Sequence, residues 1–372
     1  MQQTLLRILL TDWFTIDSRE GVWHFGVGFI LIPWLVLGIM EIRNALRDGQ
    51  TLKEMQGSLA TWAVISGVIL IVPLVAEKLP LQNPSVPVFG WGFMLVMGFL
   101  SAGMLTIRRA KKIGIPSEVI ESLGVHIFVS GILGARLFFL IQYRKRVFQD
   151  AQGLDGFIKA ALNFSDGGMV LYGGVLLGIV TYLWFCRKWK IPSLLLADLV
   201  IPAIFIGLAF GRLGCLLNGC CFGDVCELPW SIQFPPDSPP YTALLNRGFI
   251  EQGAARSLPL HPTQIYSSLN AFLLAALTTI WFRHRTRDGE VVVLALLTYP
   301  IMRFTIEFLR NDEFGQFRTG LTISQLVSIG LFSFGLIMLA YLRNSRGTIK
   351  TALPLKIELP APKKQVPARQ TA

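Results

Sequence analysis

Long apolar runs alternate with short polar linkers, most of them basic, along almost the whole chain. A helix needs about 20 mainly apolar residues to cross a bilayer. By that rule the pattern predicts about nine spans, near 21–40, 57–76, 87–107, 119–143, 168–186, 193–217, 262–282, 290–310 and 321–342. The expected fold is all-α, a polytopic bundle of transmembrane helices. Two regions lie outside the pattern. Residues 224–260 form a loop whose Pro235, Pro236, Pro239 and Pro240 argue against regular helix. Residues 345–372 form a basic, Pro-rich tail expected to be disordered.

Composition supports the membrane reading. Of 372 residues, 52% are hydrophobic and 15% are charged, against roughly 25% charged in an average soluble domain. That excludes a soluble globular enzyme and a disordered chain. A net charge of +11 reads on such a chain as cytoplasmic loops beside anionic lipid; nucleic acid is not an expected partner. With the N-terminus outside, 20 of the 34 Lys and Arg residues fall on the cytoplasmic side. The bias favours an N-out, C-in topology, although Arg144, Lys145 and Arg146 run against it. The first apolar run lacks a basic leader and a small-residue cleavage site, so it is expected to remain in the membrane.

Charge inside a bilayer is costly, about 2.5–3.5 kcal/mol per residue on insertion scales, and usually functional. Five ionisable residues interrupt the spans: Arg136, Asp198, Arg212, Arg303 and Glu307. In the N-out topology all except Asp198 lie toward the outer leaflet. His261 and Tyr172, at the starts of two other helices, are expected at the same level. Tyr299, Arg303 and Glu307 recur at i, i+4 and i+8, with Arg310 at i+11, forming one polar stripe. Taken alone, that stripe is equally a structural Arg–Glu pair or part of a site.

The densest motif is Gly211-Arg212-Leu213-Gly214-Cys215-Leu216-Leu217-Asn218-Gly219-Cys220-Cys221-Phe222-Gly223. Its four glycines suit a backbone that leaves a helix and approaches a ligand. An Arg there can hold a phosphate with two hydrogen bonds. The Cys215-x4-Cys220-Cys221-x4-Cys226 spacing is not the paired CxxC of a zinc site, and no metal is expected. A disulfide on the oxidising face and simple packing of small thiols both remain open. A second motif, Leu260-His261-Pro262-Thr263-Gln264-Ile265-Tyr266, puts donors at a helix start, where anions bind.

These residues resemble a known family, the bacterial prolipoprotein diacylglyceryl transferases. The Gly211–Gly223 box carries the resemblance, with Leu228-Pro229-Trp230, Phe234-Pro235 and the His261–Tyr266 box. Arg303-x3-Glu307-x2-Arg310, Gly134-Ala135-Arg136 and Gly167-Gly168-Met169 with Tyr172-Gly173-Gly174 occur in the same order. The likeness covers about 87–343. It implies seven family-like spans in a core over 86–344, with an extra N-terminal region over 1–85 that adds two. It also implies the activity: transfer of the diacylglyceryl group of phosphatidylglycerol to the lipobox cysteine of prolipoproteins, leaving a thioether and glycerol phosphate. Localisation in the bacterial inner membrane and the absence of a cofactor follow from the same likeness. Arg136, Asn218, Gly223, Tyr299 and Glu307 become substrate-binding candidates. Arg212 and Arg303 are candidates for phosphate stabilisation, with Glu307 orienting Arg303. Three positions depart from the family pattern. Tyr172 stands where His is usual, Cys215 and Cys220 where Asn and Glu are common, and Trp91 where Tyr is common.

The reaction needs a thiolate, whereas a free thiol has a pKa of about 8.5. Nearby guanidiniums favour the thiolate and hold the departing phosphate. Tyr172 or His261 is the expected proton acceptor; a phenol is the poorer base near neutral pH. Two alternatives compete: a membrane thiol–disulfide enzyme using the 215–226 cysteines, and a non-catalytic lipid-binding relative. A transporter fits less well, because its ionisable groups gather near the midplane.

Overall fold

The computed structural model describes residues 4–19, 22–47, 56–76, 85–149, 153–162, 168–310, 319–344, 351 and 353–355. Helix dominates. In chain order the helices are α1 (Gly28–Arg47), α2 (Gln56–Ala76), α3 (Gly90–Lys112), α4 (Ser117–Gln142), the short α5 (Arg144–Val147) and α6 (Gly153–Leu162), α7 (Leu171–Lys188) and α8 (Ser193–Asn218). They continue with α9 (Pro239–Asn246), α10 (Thr263–His284), α11 (Glu290–Glu307) and α12 (Ile323–Asn344). Each predicted apolar run overlaps one long helix. Five of these, α3, α4, α8, α10 and α12, are long and apolar enough to cross a membrane. Their flanks show large apolar side chains such as Leu133, Leu273 and Ile337, each more than half exposed. Such a surface suits hydrocarbon rather than water.

The chain compacts as two units. The first comprises Met1–Met97, Phe210–Ser268 and Leu309–Glu313; the second comprises Gly98–Ala209, Leu269–Phe308 and Phe314–Ala372.

The first unit corrects the all-α expectation. It contains a four-stranded sheet, β1 (Thr4–Leu9), β2 (Ile16–Arg19), β3 (Val22–Gly26) and β4 (Ser85–Phe89), in the order β2-β3-β1-β4. β1 pairs parallel with β3, with Leu6 opposite Trp23, and antiparallel with β4. Strands of four to six residues leave little periodic signal, and β3 lies inside the apolar run read as the first span. Gly26 and Gly28 end that strand and start α1. A Cβ at either position would lie 2.5 Å from the carbonyl oxygen of Trp13. β4 straddles the 85/86 boundary read from the sequence.

The loop after α8 is also more ordered than its prolines suggested. Pro239 and Pro240 open α9, at first-turn positions where a missing N–H costs nothing. Phe222, Phe234, Leu244 and Leu260 bury a small core beneath it.

In the second unit α4 and α7 cross at their glycines. A Cβ on Gly134 would lie 2.4 Å from the Gly173 carbonyl oxygen, and one on Gly173 2.3 Å from that of Gly134. Small residues let backbones approach where no hydrophobic force drives helices together. A larger core gathers Ile115, Val119, Phe185, Leu195, Leu196 and Leu199 near the end of α3 and the starts of α4 and α8. Asp198 of α8, fully buried, accepts the N–H groups of Gly289 (2.7 Å) and Val292 (3.0 Å) and so caps the N-terminus of α11. Within the tail expected to be disordered, Thr351 and Leu353–Leu355 are ordered. The hydroxyl of Thr351 donates to Asp288, Leu355 N–H donates to the Ile113 carbonyl (2.8 Å), and the Leu355 side chain packs on the larger core. Thr351 and Leu355 anchor those positions; the rest of the tail lies outside the described residues.

Candidate active site

The end of α8 shows how the Gly/Cys box folds. Gly219, at φ +74°, takes the left-handed position that glycine favours after a helix. Cys220 N–H then donates to the Cys215 carbonyl (3.0 Å) and Gly219 N–H to that of Leu216 (3.2 Å). This is the Schellman turn, which returns the chain over its own last turn. Cys221 follows in the same left-handed region, at φ +59°. For a residue with a side chain this is strained and persists only under external hold. Thr263 and Gln264, at the start of α10, supply that hold. Thr263 Oγ1 donates to the Cys221 carbonyl (2.8 Å) and Gln264 Nε2 to that of Cys220 (2.9 Å).

Arg212 lies two turns before the end of α8 and is half-buried. Among the described residues it forms no hydrogen bond or ion pair. Its field reaches the Cys221 thiol. Hydrogen bonds from the Cys215 and Cys220 thiols, with the charges of Arg310 and Arg212, hold that thiol well below the ordinary range. Asn218 is the last residue of the helix. Gly223 lies where three strands of chain meet: its N–H donates to the His261 carbonyl (3.1 Å), and it bridges to Arg310. A Cβ there would lie 2.5 Å from that of His261. Gly223 is thus required by close approach.

His261 is half-buried beside it. Its Nδ1 is 3.5 Å from Tyr266 Oη, which accepts the Trp230 indole N–H at 2.7 Å. The first unit therefore brings together Arg212, Asn218, Gly223 and His261, with Thr263, Gln264, Tyr266 and Trp230 around them.

The second unit carries the other candidates in two groups. On α11, Arg303 pairs with Glu307 and donates to Ser324 Oγ at 2.8 Å. Glu307 is buried, and its second oxygen accepts the Thr322 hydroxyl (2.8 Å). Thr322 and Gln325 form a reciprocal capping box at the start of α12. Tyr299, one turn before Arg303, packs against Phe205 at a tilt of 45°, with ring centroids 5.9 Å apart. The second group lies at the α4–α7 crossing. Arg136 is buried and donates to the carbonyls of Ala161 (3.0 Å), Ala160 (3.1 Å) and Gly168 (3.0 Å). These bonds tie the last turn of α6 and the approach to α7. They give Arg136 a part in holding backbone. Tyr172 is 47% exposed on the first turn of α7.

The sequence that builds these groups matches a family model for prolipoprotein diacylglyceryl transferase over residues 80–341. The chain belongs to the prolipoprotein diacylglyceryl transferase family. Similar proteins include the phosphatidylglycerol–prolipoprotein diacylglyceryl transferase of Rhodopirellula baltica, 27% identical over 91% of this chain and 89% of that protein. The Clostridium tetani protein of the same name is 32% identical over 67% of this chain and 93% of its own length. The Rhodopirellula likeness extends over most of the chain, whereas the family model begins at residue 80.

Sequence reasoning missed several supports of these family residues. Thr322, Ser324 and Gln325 went unremarked, although Thr322-x-x-Gln325 ahead of an apolar run is a legible capping signature. Gln264 was read as a donor to an anion and is instead a buried brace for the Cys220 carbonyl. The gathering of Cys215, Cys220 and Cys221, whose sulfurs all lie within 4.8 Å of one another, follows from the turn geometry set by Gly219.

Proposed function

We propose that this chain, an integral membrane transferase of lipoprotein biosynthesis, moves the diacylglyceryl group of phosphatidylglycerol onto the lipobox cysteine of bacterial prolipoproteins. The observation that carries the site assignment is the state of Arg212. A guanidinium in the outer half of an apolar helix is expensive to leave without an anion. Arg212 makes no hydrogen bond or ion pair among the described residues, its charge reaching only the Cys221 thiol, so its N–H donors suit a lipid phosphate.

In this reading the precursor thiolate attacks the glyceryl carbon of the lipid. A carbon–sulfur bond forms as the carbon–oxygen bond to phosphate breaks, and glycerol phosphate leaves with the electron pair. Arg212 grips the phosphate through two parallel N–H donors. By the family resemblance Arg303 also serves phosphate stabilisation; within its own unit Glu307 and Ser324 hold it, so that its charge needs little reorganisation. His261 takes the thiol proton: an imidazole accepts protons near neutral pH and a phenol does so poorly. Asn218, Gly223 and Tyr299 shape the head-group contact, and Arg136 serves by holding the backbone at Gly168. No cofactor enters.

The inner membrane, about nine spans and an N-out, C-in topology complete the proposal. Two groupings support the topology. Thr351, Asp288, Leu355 and Ile113, all assigned to the cytoplasmic side, lie together. Gly223, His261 and Leu309, all assigned to the outside, are joined through the hydrogen bonds of Gly223 and Asp224. The decisive experiment supplies purified protein with labelled phosphatidylglycerol and a lipobox peptide. A labelled thioether peptide is expected; binding of the lipid with no product would overturn the enzymatic reading.

A further inference from the structure

The proposed reaction uses only the precursor's thiol, yet this chain brings three of its own together. Cys215, Cys220 and Cys221 are free, each half-buried, and their sulfurs lie within 4.8 Å of one another. Thiolates that share one metal ion at about 2.3 Å stand roughly 4 Å apart, so closing by less than an ångström would give all three a common centre. The backbone is already set for this. The Schellman turn stacks Cys220 over Cys215, with Cys220 Sγ 3.7 Å from the Cys215 carbonyl oxygen. The left-handed Cys221 is fixed through its carbonyl by Thr263, and its neighbour through Gln264. Such strain is a feature of pre-organised sites. Charge is complementary as well. Three thiolates around a mono- or divalent ion leave a net charge of −2 or −1, and Arg212 and Arg310 both act on Cys221.

We propose that Cys215, Cys220 and Cys221 form a binding site for one thiophilic metal cation of the closed-shell copper(I) or zinc class. Soft sulfur ligands select such ions over magnesium or calcium. Binding is a plain exchange: three metal–sulfur bonds form and each thiol still protonated gives up its S–H proton to solvent, with no change of oxidation state. The geometry also favours a metal over simple packing of small thiols, because apolar packing does not need a left-handed cysteine whose carbonyl, with that of its neighbour, is braced by side chains from another helix. The site is independent of the transfer reaction and stands whether or not the chain is an active transferase.

The test uses the full-length, reduced protein in detergent, titrated with cadmium(II) as the spectroscopic probe. An ultraviolet thiolate-to-metal charge-transfer band should grow and saturate at one metal per chain, with proton release. Cys215→Ser, Cys220→Ser and Cys221→Ser should each weaken binding by at least about tenfold, while the Cys186→Ser/Cys226→Ser double variant keeps the band. Alkylation of the unmodified protein followed by peptide mass spectrometry gives a readout that does not depend on variants folding. Cadmium should shield residues 215, 220 and 221 together and leave labelling of Cys226 unchanged. The proposal is overturned by absence of the band, by a band that survives Cys215→Ser, or by shielding of Cys226 instead. It is equally overturned if protein taken from membranes without reductant holds two of the three thiols as a disulfide.

Discussion

Arg212 on α8 and Arg303 on α11 are both arginines inside apolar helices, and the protein treats them differently. Arg303 is held by Glu307 and Ser324, and Glu307 is held in turn by Thr322 of a capping box. Arg212 stands at the edge of a glycine-rich turn with no partner among the described residues. Arg136 goes further than Arg303 and spends donors on three backbone carbonyls. The same side chain thus serves as fastening, aimed charge or open ligand site. Its neighbours decide which, because a guanidinium in a low-dielectric setting must satisfy several donors at once.

Substitutions can break or sharpen that comparison. The largest effect is expected at Arg212: Arg212→Ala should lower transfer by about three orders of magnitude or more, on the scale of losing a main electrostatic contact. Melting of the detergent-solubilised protein should change little, and full activity in membranes would remove Arg212 from the site. Arg212→Lys keeps the charge and loses the paired donors, so it should recover only a minor part of the rate. Glu307→Gln should lower transfer, because Arg303 loses the carboxylate that aims it, and also cost about 3 kcal/mol of stability, since it leaves Arg303 without its buried counter-charge. A thermal midpoint unchanged from the parent would show that the pair is not a fastening. Gly173→Ala should cost about 1–3 kcal/mol by forcing α4 and α7 apart, read as a lower melting temperature with transfer per folded molecule preserved. The smallest change is Thr322→Ala, about 1 kcal/mol from the lost helix cap. A melting temperature lowered to match, with transfer per folded molecule preserved, checks it; an unchanged melting temperature would remove Thr322 from the cap.

Much of the helical framework is legible in the sequence, because hydropathy over about 20 residues is a local sum that needs no knowledge of partners. The Arg303–Glu307 pair is legible for a similar reason: i, i+4 spacing places both on one helix face whatever surrounds them. The β-sheet over Thr4–Phe89 was not legible. Its strands are short, and β1 finds β4 from more than 70 residues away, so pairing rather than periodicity creates it. Proline was misread at Pro239 and Pro240 for want of position, since the residue that breaks a helix interior opens a helix at its first turn. The role of Arg136 was likewise hidden: its partners Ala160, Ala161 and Gly168 are backbone carbonyls, which carry no side-chain signature.

The sequence by itself determined that this is a membrane chain, where its long helices run, which ionisable residues interrupt them, and which family its motifs follow. Those properties rest on composition, spacing and order, all written locally. Only the tertiary structure decided that Arg212 makes no hydrogen bond or ion pair among the described residues while Arg136 donates to three carbonyls, and that Gly223 is glycine because His261 crosses it. It also decided that three cysteines without a metal-like spacing share one turn. Each of these depends on what a residue meets across the fold, and a polar group in a dry interior is defined by the partners it finds there.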